Sequence, residues 1–135
     1  MQPDQNHDLN YRVIGCAMEV HRHLGPGLLE RLYETYLCDE LALAGLSFIR
    51  QRVLPVVYKG KTLDGHYQID LIVEDSLALE IKSVHTLLPV HEAQLQTYLH
   101  LSGLRLGLLM NFNSAYMKDG IRRVLAPDAV SYYVR

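Results

Sequence analysis

The chain has 135 residues, 49% of them hydrophobic and 21% charged, with 13 basic against 15 acidic residues for a net charge of −2. That length predicts one domain over residues 1–135 with a real core, and the composition excludes a disordered or collagen-like chain; no apolar run approaches a membrane span. The slight acidic balance argues against an unaided grip on a long duplex, and leaves a small nucleic-acid footprint or a protein partner that supplies basic surface.

Met1 to His7 is polar, without the apolar segment of a secretory signal, so a cytoplasmic protein is expected. Leu9 to Leu24 carries Val13, Ile14, Ala17, Met18 and Val20 at the spacing of an amphipathic helix, which Gly25-Pro26-Gly27 ends. A second helical pattern runs from Leu28 to Ala44, with Gly45 as its stop. Ser47 to Tyr58 is β-rich, Pro55 marks an edge or bent strand, and Lys59-Gly60-Lys61 is a turn. Two strands, Tyr67 to Val73 and Leu77 to Ser83, flank Glu74-Asp75-Ser76 as a hairpin. Pro89 to Ser102 is a helix stopped by Gly103, Leu104 to Met110 a buried strand, and Asn111 to Gly120 a polar connection. The tail from Ile121 to Arg135 reads as strand or irregular. Cys16 and Cys38 lie far apart within helical patterns, as buried small hydrophobes rather than as a disulfide framework or zinc knuckle.

The hairpin carries the chemistry. If Val73 faces Leu77, then Leu71 faces Leu79, Ile69 faces Ile81 and Asp70 faces Glu80. Ile69, Leu71, Val73, Leu77, Leu79 and Ile81 then form one apolar face. The other face sets the Asp70 and Glu80 carboxylates side by side, Cβ atoms about 5 Å apart, with Lys82 one step further. Such a pair repels unless a proton or cation lies between its members, and its hard oxygens suit Mg2+ or Mn2+. A lysine beside the metal can orient or deprotonate an attacking water, or offset charge in a phosphoryl transition state.

Asp70, then nine residues, then Glu80-Ile81-Lys82 resembles the PD-(D/E)xK nuclease signature, with Ile69 where that motif often has proline. Together with Gly27, Glu30 and Tyr33, the chain from Leu9 to Leu125 resembles the GxxExxY branch of that superfamily. The resemblance implies an α/β fold: a restriction-endonuclease-like core, a mixed central sheet flanked by helices, with an extra N-terminal helix. It implies a Mg2+- or Mn2+-dependent deoxyribonuclease with Asp70, Glu80 and the Ile81 carbonyl as metal ligands and Lys82 acting on the water. Glu30 would reach the metal site from its helix; read without the resemblance, it is as readily a solvated glutamate favoured by the helix dipole. Tyr33 reads as support. Gln94 and Tyr98, four apart, resemble the QxxxY motif of RecB-like exonucleases, whereas Gln96 points elsewhere; read without the resemblance, Tyr98 is a core tyrosine by its helical spacing. Lys118, Arg122 and Arg123 are the densest basic group, either a solvated face or contacts to the nucleic-acid backbone. The seven histidines include no pair at metal-ligand spacing. DNA hydrolysis is thus the leading expectation, and a nuclease-fold binding or assembly module without turnover is the alternative. A third option, a structure-selective resolvase, would need a homodimer to cut two strands.

Overall fold

The structure, a computed structural model, describes residues 3–127, with side chains described for residues 7–63 and 67–127. Two helices come first, α1 (Pro3–Leu24) and α2 (Glu30–Leu43). Between them Gly25 and Gly27 take φ of +70° and +97°, a region that glycine enters without a Cβ clash. Tyr33 locks this turn. Its hydroxyl donates to the Gly25 carbonyl and accepts from the Leu28 N–H at 3.1 Å, while its buried ring stacks on Phe112 at 4.7 Å.

Five strands follow: β1 (Phe48–Tyr58), β2 (Lys61–Val73), β3 (Leu77–Lys82), β4 (Leu106–Asn111) and β5 (Ile121–Leu125), with helix α3 (Pro89–Ser102) between β3 and β4. They form one sheet in chain order, parallel only at β3–β4, where α3 makes the crossover, and antiparallel elsewhere. This is the expected mixed sheet flanked by helices, with the extra helix at the start. One face packs under α1 and α2, through Val13, Ala17, Leu37 and Leu41 against Leu71, Leu79, Leu108 and Met110. The other packs under α3, whose Leu95 and Leu99 meet Ile72, Ala78, Leu109 and Val124. Neighbouring strand residues thus serve opposite faces, as a period of two requires. Cys16 and Cys38 are buried and free, and burial pushes both thiols up.

Two features differ from the sequence expectation. First, β2 starts at Lys61 rather than Tyr67. Its early half pairs only with β1, and Asp64-Gly65-His66 obscures the strand pattern because it falls at a register shift opposite Pro55. The tail forms strand from Ile121 to Leu125, within the strand-or-irregular reading, and residues after 127 lie outside the described residues.

The second difference bears on function. Leu71–Leu79, Ile72–Ala78 and Val73–Leu77 pair in the expected register, but the β2–β3 ladder then stops. Ile81 packs with Leu71 and Leu79 beneath α1 and α2, whereas Ile69 packs with Ile72 and Ala78 beneath α3. The single apolar face is therefore broken at Asp70. That residue leaves the ladder on both sides: on the β1 side, between the pairs Arg50–Leu71 and Arg52–Ile69, Gln51 has φ +50° and is likewise unpaired. One irregular residue resets the alternation, so Ile69 changes face.

The seat of α3 depends on Gly107 in β4, where an added Cβ would fall 3.0 Å from Leu95 Cδ2. Gly107→Val should cost about 1–3 kcal/mol through overpacking. Gly15→Ala in α1, where an added Cβ meets nothing within 4 Å, should gain up to about 1 kcal/mol. Urea midpoints of the two variants check both signs.

Candidate active site

Where β2 parts from β3, side chains replace the ladder. Asp70 Oδ2 accepts the Ile81 N–H at 2.8 Å, and Glu80 Oε1 accepts the Asp70 N–H at 3.0 Å. Each strand therefore binds the other through a carboxylate, and these two bonds hold the pair together. Glu80 is only 6% exposed. Burial, and after it the Asp70 charge, pushes its carboxyl up to about 8. Asp70 is also raised, mainly by burial and against the Ile81 N–H bond, with Glu34 adding negative charge nearby.

Lys82, two residues beyond Glu80 on the same side of β3, is half-buried, and its charge favours the ionised forms of both carboxyls. Glu30 opens α2; its carboxylate accepts the Ser83 N–H at 3.1 Å, while Ser83 Oγ donates to the Leu28 carbonyl at 2.6 Å. The start of α2 is thereby stitched to the end of β3, and the Glu30 charge acts on Glu80. Tyr98 stands at the opposite rim. Its hydroxyl is raised by burial and then by the charges of Glu80 and Asp70, and its ring lies 5.9 Å from that of Tyr67. Gln94, one helical turn before Tyr98, is exposed. Gln96 is half-buried instead, its amide directed to the Leu125 carbonyl at 3.5 Å.

Sequence reasoning missed the support beneath Asp70. Gln51 Nε2 donates to Asp70 Oδ1 at 3.3 Å and to Glu34 Oε1 at 2.8 Å, and Glu34, 7% exposed, is ion-paired to Arg50 at 3.0 Å. Glu34 had a signal in lying four residues after Glu30, on the same side of one helix. Gln51 had none, because its role rests on a left-handed backbone conformation. Asn111 was also missed: its buried amide bonds both the N–H and the carbonyl of Val84, fixing the chain just beyond Lys82.

Other candidates are dispersed. Lys118 lines a hollow with Met18 and His21, Arg122 pairs with Glu92 at 2.9 Å, and Arg123 lines a separate hollow with Asn10 and Arg105. The basic group of the sequence is therefore not one patch. His21 bonds the Ser114 carbonyl across the fold, whereas His23 and His91 make local hydrogen bonds to Glu19 and Leu88.

Asp70 and Glu80 fit a divalent cation of the Mg2+ class: two hard carboxylates, one half-buried and one buried, repel each other and gain from a positive charge between them. Among the described residues no three His, Cys, Asp or Glu side chains converge on one point. The protein's side-chain share of such a site is therefore the carboxylate pair.

The carboxylate pair sets a pH dependence. The folded-state value of Glu80, about 8, lies above its ordinary 4.5. Stability of the metal-free protein is then fully present below about pH 4.5 and is lost as pH rises through about 8. Melting temperatures in chelator should fall over this window, by about 3–6 °C for each kcal/mol lost, and Glu80→Gln should flatten the slope. At Gln51, both Ala and Gly substitutions remove the amide that braces Asp70. Gly should be the more stable by about 1 kcal/mol, because it alone accepts the positive φ freely.

A family model for the PD-(D/E)XK nuclease superfamily matches residues 7–124. Among solved structures, the crystal structure of SSO0001 is similar in fold, with a TM-score of 0.52 at 22% identity. The similarity covers 74% of this chain and 52% of that one, so it spans about half the length of the solved chain. No curated protein matches. Among the described residues, no helix is long and apolar enough to cross a membrane. With nearly its whole length inside the family match, the chain belongs to the PD-(D/E)XK nuclease superfamily and has a restriction-endonuclease-like fold.

Proposed function

We propose that residues 1–135 act as one nuclease domain that hydrolyses DNA with Mg2+ or Mn2+, in the GxxExxY branch marked by Gly27, Glu30 and Tyr33. The observation that carries this reading is the Asp70–Glu80 pair, half-buried and buried in turn and tied by hydrogen bonds into the backbone of the two strands, with the Lys82 charge acting on both. Asp70, Glu80 and the Ile81 carbonyl would hold the cation, which supplies a water of lowered pKa and neutralises phosphate charge. Lys82 orients the attacking water and offsets charge on the phosphate. Glu30 fixes the end of β3 through Ser83 and adds a carboxylate to the rim. Gln94 and Tyr98 contact the substrate strand from α3. A cytoplasmic location suits this substrate, and a second copy or a partner protein would add basic surface to a chain of net charge −2. That same charge favours, as a second reading, a binding or assembly module without turnover. Metal-dependent cleavage by the parent, abolished in Glu80→Ala, decides between the two.

Asp70→Asn combined with Glu80→Gln should abolish Mn2+ binding measured by calorimetry; undiminished binding places the metal elsewhere. Lys82→Ala should fold and bind Mn2+ at least as well as the parent while losing most cleavage. Gln94→Ala should slow single-turnover cleavage about tenfold to hundredfold, as expected for a charge-assisted contact made in the transition state, and by more than Gln96→Ala does. Equal losses at the two glutamines would remove Gln94 from the site.

A further inference from the structure

Beyond Asp70, β2 no longer pairs with β3 and continues with β1 alone, from Arg52–Ile69 out to Tyr58–Lys61. The six steps from Arg52 to Tyr58 make a two-stranded ribbon about 20 Å long. Its inner end is packed, with Leu54 and Ile69 buried beneath α3 and Tyr67 beside Tyr98. Its outer end is open: Val57 is 64% and Tyr58 68% exposed, and the tip turns through Lys59 and Gly60, both at positive φ. The ribbon therefore leaves directly from the site.

Charge identifies what this surface takes. Residues 50–63 hold four cations, Arg50, Arg52, Lys59 and Lys61, and no acid, the next being Asp64, in a chain whose net charge is −2. Arg50 is engaged by Glu34, whereas Arg52, Lys59 and Lys61 are exposed. Lys59 Nζ lies 5.4 Å from the centre of the Tyr58 ring, so cation and aromatic share one patch at the tip. A second copy pairing tip to tip would oppose like charges. A polynucleotide supplies phosphates for the lysines and base faces for the tyrosine.

We infer that the β1–β2 ribbon is a nucleic-acid arm, holding the DNA backbone with Arg52, Lys59 and Lys61 and stacking a base on Tyr58, so that the strand runs from the tip to Asp70 and Glu80. The inference rests on the nuclease reading for the strand's destination, but the arm's binding is separable from cleavage. Its reach of about 20 Å matches about six phosphates of one strand at B-form rise.

The test measures binding of fluorescein-labelled 4-nucleotide and 20-nucleotide single strands and of a 20-base-pair duplex in chelator, where no cleavage intervenes. Lys59→Ala with Lys61→Ala should weaken 20-mer binding about tenfold and lower the slope of log affinity against log salt by about 1.4, while leaving the 4-mer unchanged. Tyr58→Ala should weaken the single strand more than the duplex. Arg105→Ala, an exposed cation at the start of β4, is the control and should match the parent. Thermal melts verify that each variant is folded. Failure of the parent to bind DNA, an unchanged salt slope in the double variant, or an equal loss in Arg105→Ala each overturns the arm. So does loss of self-association by sedimentation as the only effect of the ribbon variants. Arm-dependent binding by a parent that never cleaves DNA upholds the arm and overturns the nuclease reading.

Discussion

The structure turns on two hydrogen bonds, each from a backbone N–H to a carboxylate of the opposite strand: Ile81 to Asp70 and Asp70 to Glu80. A continuing ladder would have placed both side chains on a regular sheet surface, where water screens them. Breaking the ladder draws the carboxylates inward and leaves them with part of their acceptor capacity uncommitted. Burial makes their ionisation costly, and it also strengthens their attraction for any cation that arrives. The same break sends Ile69 to the opposite face and frees β2 to leave with β1 as a ribbon.

Around this break the fold adds only support. The Gln51 amide bridges Asp70 to a glutamate that Arg50 neutralises, so the acidic pair is braced by a second, balanced pair. Asn111 holds the chain after β3, and Glu30 closes the gap between the first two helices and the sheet. All of these contacts are made by the protein's own groups, which fix the carboxylates on rigid elements.

Much of the core was legible in the sequence because periodicity records burial. Leu71, Leu79 and Ile81 alternate as a strand must, and Leu37 and Leu41 recur as a helix must. Asp70, Glu80 and Lys82 were legible because hairpin geometry fixes which residues face each other. Gln51 and Ile69 were not, since a single left-handed residue shifts the alternation without changing the composition of the strand. Which basic residues lie near one another was less legible, for a related reason. Lys118, Arg122 and Arg123 are close in sequence but separate in space, whereas Lys59 and Lys61 gain their position from a pairing that the Asp64-Gly65-His66 shift disguised.

The stitch between Glu30 and Ser83 spans 53 residues, while Asp70 and Ile81 meet across 11. Closing a long loop costs more chain entropy than closing a short one, and contacts of low sequence separation form sooner. The central hairpin is therefore suited to bringing its two acids together early, while the Glu30 contact waits until α2 docks. Order of assembly thus separates the parts of the site: the groups that would hold a cation come from local chain, and the Glu30 carboxylate comes from a helix far back along the polypeptide.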